Sequence, residues 1–290
     1  SMVDLISFAA VLRTIGGRCK VVLVGDPNQL PPVGPGLILH HLACGVVPHV
    51  HLGTTNRFGS DIAEVANEVR DGRMPCLTAN AAVALLEPED PSHIAEMATS
   101  LYLSDQSDAI VLCPSNALVD EINKMIQRRT TWNNQPVTVW NHQFDCRQDL
   151  GLRLGDPVIC GRNHWDRGLQ NGSIGRIKVI DMMDEDEVSG VIEWDDGVER
   201  AFDMDLLEDL SLAYAVTVHK SQGSQWRRVI VAIREGKLLD RSLVYTAITR
   251  ATKEVQLIGM RAVIEGAIHR PKAADLRKVG IKRWIEYATS

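Results

Sequence analysis

Lys20-Val21-Val22-Leu23-Val24-Gly25-Asp26-Pro27-Asn28-Gln29-Leu30-Pro31-Pro32 runs from a β-branched apolar segment straight into a loop stiffened by three prolines. The first five residues have the length and composition of a buried parallel strand. In an open α/β sheet ligands bind at the carboxyl ends of the strands, so the loop that follows lies where function is usually built. Gly25 permits close backbone approach, Asp26 brings a carboxylate, and Gln29 brings an amide that both donates and accepts hydrogen bonds. A rigid structural turn would use the same residue types, and spacing alone leaves both readings open.

Working outward, residues 3–12 place Leu5, Phe8, Ala9 and Leu12 at helical spacing before Gly16-Gly17 stops them. Residues 61–70 repeat that spacing through Ile62, Val65, Ala66 and Val69, and Asp71-Gly72 ends it. An Ala-, Glu- and Pro-rich stretch over 74–91 reads as a change of domain. Residues 109–113 form another short buried strand, Pro114-Ser115-Asn116 turns the chain, and Leu118, Val119, Ile122, Met125 and Ile126 line a helix. Between 144 and 210 the texture becomes all-β, with hairpin signals at Asn171-Gly172, Ser189-Gly190 and Asp195-Asp196-Gly197. The α/β pattern returns with strands at 229–233 and 255–259 around a helix at 238–251.

The 290 residues are 45% hydrophobic, enough for roughly two domains with sizeable cores. With 31 Lys+Arg against 37 Asp+Glu the net charge is −6, which excludes a wholly basic nucleic-acid binder but not a local basic groove. No apolar run approaches the roughly 18 residues of a membrane span, and no signal peptide is recognisable, so a cytoplasmic location without membrane association is expected. Six cysteines without a C-x-x-C pair argue against a disulfide framework or structural zinc. The histidines at 40, 41, 49 and 51 lack partners of suitable spacing, and no metal site is expected from them. Asp184-Glu185-Asp186-Glu187 reads as a solvated hairpin tip.

Read as a string, Gly25-Asp26-Pro27-Asn28-Gln29-Leu30-Pro31-Pro32-Val33 resembles motif III of superfamily 1 helicases. Thr217-Val218-His219-Lys220-Ser221-Gln222-Gly223 resembles motif V of the RecD-like branch, and Tyr245-Thr246-Ala247-Ile248-Thr249-Arg250-Ala251 its motif VI. Leu52-Gly53-Thr54-Thr55-Asn56-Arg57-Phe58 and Asn171-Gly172-Ser173-Ile174-Gly175 resemble two further segments of that family, in the right order. The chain is similar to the C-terminal portion of a RecD-like DNA helicase, the exodeoxyribonuclease V alpha subunit family. The resemblance implies an α/β fold of RecA-like P-loop NTPase helicase domains, the first one partial, with an inserted small SH3-like β-barrel. Residues 1–100 would belong to the first RecA-like domain, 101–145 and 211–290 to the second, and 146–210 to the barrel.

The resemblance also implies roles. Gly25, Asp26, Gln29, Arg57, Gly223, Gln225 and Arg250 would bind ATP, with Gln29, Arg57 and Arg250 acting on the charge that develops during phosphoryl transfer. By the family's pattern Arg250 reaches across a cleft that closes over the nucleotide. Thr217, His219 and Lys220 would hold the backbone of single-stranded DNA. Pro114, Ser115 and Asn116 form a second candidate backbone-binding turn, with plain helix capping as the alternative. Trp132, Trp140 and Trp165 offer stacking faces, although burial is the commoner use of tryptophan.

Two departures qualify the match. The 290 residues contain neither a G-x-x-x-x-G-K-[ST] phosphate loop nor the Asp-Glu pair that holds Mg²⁺, so Mg²⁺ ligands are expected upstream and the segment alone should be inactive. Ser1-Met2-Val3-Asp4 resembles the residues that follow that pair in the family, a vector-derived start being the alternative. Gln225 stands where the family more often has a glutamate for the nucleotide's ribose, which keeps an acceptor but removes its charge. The leading expectation is therefore a segment of an ATP-dependent translocase on single-stranded DNA, with further subunits of a helicase-nuclease complex as partners. The alternatives are a non-catalytic helicase-like module that binds single-stranded DNA and, more weakly, an RNA helicase.

Overall fold

Strands form where a predicted apolar run finds a neighbour to pair with. The computed structural model describes residues 2–43, 47–52, 59–78, 81–181, 188–277, 279–280 and 287, which group into two units, residues 1–87 with 222–290 and residues 88–221. In the first unit the strand Ala251–Ile258 lies between Val83–Leu86 and Trp226–Ala232, all parallel, with Val255 opposite both Val83 and Val229. Such strands are buried on both faces, which is why Val229 to Ala232 and Val255 are fully inaccessible.

The helix Ser60–Arg70 packs on the helix Arg241–Ile248 and on that central strand. Of the four residues the spacing named, Ile62, Ala66 and Val69 are buried on one helical face and Val65 is half-buried. It ends at Asp71-Gly72, where Gly72 has φ +80° and its N–H bonds the Val69 carbonyl, a left-handed stop that glycine adopts without strain. The predicted N-terminal helix is also present, as Leu5–Thr14, capped by Asp4, whose carboxylate accepts the Ser7 N–H at 2.7 Å.

One expected strand is not there. Residues 20–24 have no strand structure, and Val22 and Val24 are 82% and 86% exposed. A β-branched run favours extended backbone, but a strand needs a ladder partner, and among the described residues none pairs with this one. The helix Leu5–Thr14 likewise buries none of its residues, and Ile6 and Val11 are among its exposed apolar side chains.

In the second unit the strands Ala109–Cys113 and Ala215–Thr217 run parallel, in register Thr217 to Cys113, and the helix Asn116–Thr130 follows the first of them. A two-stranded ribbon, Pro136–Asn141 with Cys146–Arg153, stands beside a five-stranded antiparallel sheet. That sheet is ordered Glu199–Phe202, Ser189–Trp194, Ile174–Asp181, Pro157–Cys160, Leu210–Leu212, and its core includes Val158, Ile177, Ile192, Trp194 and Phe202.

Of the three hairpin signals, Asp195-Asp196-Gly197 is a hairpin turn, with Gly197 at φ +78°. Asn171-Gly172 instead closes the long loop before Ile174–Asp181, and Ser189-Gly190 begins a strand. Gly190 is needed for packing, because a Cβ there would stand 2.1 Å from the Val179 carbonyl and 2.6 Å from the Phe202 ring. Among the described residues, no helix is long and apolar enough to cross a membrane.

Candidate functional site

The first unit gathers the proline-stiffened loop and the arginine string. Asp26 Oδ1 accepts the backbone N–H of Asn28 at 2.8 Å and its Nδ2 at 3.1 Å, an Asx turn that folds the loop on itself. Asp26 Oδ2 accepts the Tyr245 hydroxyl at 2.7 Å, and Thr246 Oγ1 accepts the Leu30 N–H at 2.9 Å. Gln222 Nε2 donates to the Leu30 carbonyl at 3.0 Å, Lys272 Nζ to Asn28 Oδ1 at 2.5 Å, and Arg277 to the Pro32 carbonyl at 2.8 Å. Leu30, Pro31 and Pro32 are buried, Asp26 to Gln29 are half-buried, and Gly25 is exposed.

Arg250 follows the helix Arg241–Ile248 by two residues and is only 5% exposed. Its Nε donates to the Thr246 carbonyl at 3.2 Å and its guanidinium to the Ser224 carbonyl at 3.3 Å. Thr246 thus carries both the loop, through its hydroxyl, and the arginine, through its carbonyl. Gly223, at φ +97°, and Gln225 are exposed on the segment leading into Trp226–Ala232. Burial first, and then the Asp26 carboxylate, push the Tyr245 phenol well above its ordinary value, so at neutral pH it is a hydrogen-bond donor. Arg57 and its segment 53–58 lie outside the described residues, as does the acidic run 184–187.

The second unit holds the residues expected to grip a strand of nucleic acid. Because Thr217 and Cys113 are register partners, the turns after them emerge side by side at the carboxyl ends of two parallel strands, and the Val218 N–H donates to the Cys113 carbonyl. Pro114 is buried, while Ser115 and Asn116 are exposed. Ser115 occupies the position before the helix Asn116–Thr130, yet its side chain makes no capping hydrogen bond. After Thr217 the chain makes a tight turn. Its hydroxyl accepts the Lys220 N–H at 3.3 Å, and Ser221 Oγ donates to the Val218 carbonyl at 2.8 Å, with His219 half-buried and Lys220 exposed. Asn171-Gly172 lies against this turn, since a Cβ on Gly172, at φ +97°, would stand 3.5 Å from the Lys220 carbonyl. A groove of about 520 Å³ opens beside it, with Asn116, Thr217 and Lys220 on its lining next to Val119, Leu152 and Leu207.

Sequence reasoning missed the groups that hold these turns in place. Tyr245 and Thr246 were read only as letters of the arginine string. Asp156 is fully buried and accepts from Tyr214 Oη at 2.8 Å, Gln127 Nε2 at 2.6 Å, the Arg153 N–H at 2.7 Å and the Thr131 hydroxyl. Those donors come from the helix Asn116–Thr130 and its end, the ribbon, and the residue just before Ala215–Thr217, so one carboxylate ties the antiparallel part of the unit to the strand that presents Thr217. The available signal was a Gly-Asp-Pro at 155–157, which reads as an ordinary turn. Of the tryptophans, Trp165 is 71% exposed, and Trp132 is 51% exposed with the Arg153 guanidinium over its ring, 5.1 Å from the centroid.

Comparison with known proteins bears on what these two clusters are. Residues 212–258 match the family model described as a UvrD-like helicase C-terminal domain, and residues 1–96 match one described as an AAA domain. Over 96% of its length it is 30% identical to the RecBCD enzyme subunit RecD of Mycolicibacterium smegmatis, of which it covers 52%. Over 91% of its length it is 27% identical to the ATP-dependent RecD2 DNA helicase of Deinococcus radiodurans, of which it covers 36%. The chain thus spans about half the length of the first relative and about a third of the second. Among solved structures, the Pif1 helicase of Candida albicans aligns with 91% of this chain and 67% of its own at a TM-score of 0.56 and 18% identity. The Bacteroides Pif1 helicase in complex with ADP-AlF3 and ssDNA aligns with 91% of this chain and 66% of its own, at 0.54 and 18%. These structural likenesses show that the chain shares the α/β RecA-like fold of those proteins.

Proposed function

We propose that the chain is the C-terminal portion of an ATP-dependent superfamily 1 DNA helicase of the RecD type, a translocase on single-stranded DNA. The observation that carries this reading is the side-by-side emergence of Pro114-Ser115-Asn116 and Thr217 to Lys220 from two parallel strands. Ser115, Asn116, Thr217 and Lys220 together offer hydroxyl, amide and ammonium donors to successive phosphates, while the groove beside them has room for the strand. In the first unit, the Leu30 N–H, next to Gln29, and Arg250 Nε both bond Thr246, and Gln29 and Arg250 would supply an amide and a guanidinium of the kind a terminal phosphate needs. When bound, ATP supplies the phosphoryl group whose charge these residues stabilise. Asp26 has both oxygens engaged, by Asn28 and Tyr245, and so does not suit a Mg²⁺ ligand. We assign Mg²⁺ to an Asp-Glu pair outside this sequence.

In this reading residues 1–100 complete a first RecA-like domain except for the strand Val83–Leu86, which pairs with Ala251–Ile258 and so goes with the second, formed by 101–145 and 211–290, and 146–210 form an inserted SH3-like barrel. Further subunits of a helicase-nuclease complex are the expected partners. Without a phosphate loop, the 290 residues alone are expected to show no DNA-stimulated ATPase. The second reading, a non-hydrolysing module that binds single-stranded DNA, is favoured by one observation: all six candidate DNA-contacting residues lie in one unit.

The test is single-stranded DNA binding by the 290-residue chain across a salt series. Lys220→Ala should weaken binding and reduce the slope of log K against log salt by about 0.7, the contribution of one neutralised phosphate on a single strand. His219→Ala should weaken binding as well. An unaltered slope in Lys220→Ala, with undiminished affinity in both variants, would remove this turn from the DNA path.

A further inference from the structure

The tethers on the Gly25-to-Pro32 loop follow an ordered pattern. They land on Asp26, Asn28, Leu30 and Pro32, two before Gln29 and two after it, and they come from Tyr245, Lys272, Thr246 with Gln222, and Arg277. Every one is polar. A loop held only for the sake of the fold needs no such set, because its buried Leu30, Pro31 and Pro32 already anchor it through apolar contact. What the hydrogen bonds add is direction: after Gln29 they hold the backbone of Leu30 and Pro32, and before it they hold the Asp26 and Asn28 side chains, which the Asx turn joins to the Asn28 N–H.

Thr246 is the pivot of this arrangement. It is fully buried, its Oγ1 accepts the amide next to Gln29, and its carbonyl accepts Arg250 Nε. The loop and the arginine are thereby referenced to one residue, so movement of either changes the hydrogen bonding of the other. Tyr245, its neighbour, fixes the opening of the loop through Asp26, which spends Oδ1 on Asn28 and Oδ2 on the phenol.

We propose that Tyr245 and Thr246 are positioning residues that set Gln29 and Arg250 in register, with Asp26 acting as the receiver of that latch rather than as a nucleotide ligand. This assignment rests on the reading of Gln29 and Arg250 as phosphate-facing groups.

Two measurements test it. The first is amide hydrogen exchange of the 290-residue chain. Thr246→Val deletes the hydroxyl acceptor and keeps the carbonyl that holds Arg250, so exchange at Leu30 should rise about tenfold, and Tyr245→Phe should do the same at Asn28. Thr246→Ser, which restores a hydroxyl, should return Leu30 to the parent rate. The second uses the full-length helicase that carries this segment with its phosphate loop. There Tyr245→Phe and Thr246→Val should lower kcat of the DNA-stimulated ATPase about tenfold, with single-stranded DNA affinity within about twofold of the parent and Thr246→Ser close to it. Unchanged exchange overturns the latch. Raised exchange with unchanged kcat, or kcat and DNA affinity falling together, overturns the positioning role. A parent without ATPase activity overturns the helicase reading instead, and the latch is then judged by exchange alone.

Discussion

Replacing Asp156 by alanine tests the junction that holds the strand before Thr217. The carboxylate is fully buried and receives four donors. After its removal Thr131 Oγ1 can donate to Tyr214 Oη, 3.1 Å away, Tyr214 Oη can donate to Thr130 Oγ1, 3.2 Å away, and Gln127 Nε2 keeps the Gly151 carbonyl at 2.8 Å. Two donors remain stranded, the Arg153 N–H and the second hydrogen of the Gln127 amide. Each buried unsatisfied donor costs roughly 1–3 kcal/mol, so Asp156→Ala should destabilise the unit by about 4 kcal/mol. Tyr214→Phe removes one of the four donors and should cost only about 1 kcal/mol. The assay is urea unfolding followed by fluorescence of Trp194, 3% exposed in the same unit, under reducing conditions. Single-stranded DNA binding should weaken alongside, because Tyr214 directly precedes Ala215–Thr217. A loss below about 1 kcal/mol for Asp156→Ala, at unchanged m, would refute the accounting.

Other perturbations follow from single observations. Gly190→Ala should destabilise the antiparallel sheet by about 2 kcal/mol or more in urea unfolding, because its Cβ would stand 2.1 Å from the Val179 carbonyl. Val24→Lys, at a position already 86% exposed, should change the stability of the 290-residue chain by less than about 0.5 kcal/mol, and a larger loss would mean that residues 20–24 are paired after all. Asp196, held by its hydrogen bond to Arg200, should titrate at about 2 in carboxyl NMR. Its folded value is depressed, so whatever stability the pair gives is present above the ordinary value of 3.8 and is lost as pH falls towards 2. A midpoint near 3.8 would show that the pair does not form in solution.

Much of the fold is legible in local patterning. Local periodicity placed the strand Ala109–Cys113 and the buried face of the helix Ser60–Arg70, because spacing of apolar residues is written in the chain and burial follows from it. The strings at 25–33, 217–223 and 245–251 pointed to a helicase, and the relatives agree. Composition could not say whether a strand-forming run has a neighbour, so residues 20–24 were read as buried and are exposed. Nor could local reading separate a glycine that turns the chain, Gly197, from one that admits a neighbouring carbonyl, Gly190. Which distant side chains meet depends on three-dimensional packing. Tyr245 reaches Asp26 across 219 positions, and Tyr214 reaches Asp156 across 58. Hydrogen bonds act over about 3 Å of space whatever the separation in sequence, so no periodicity records them.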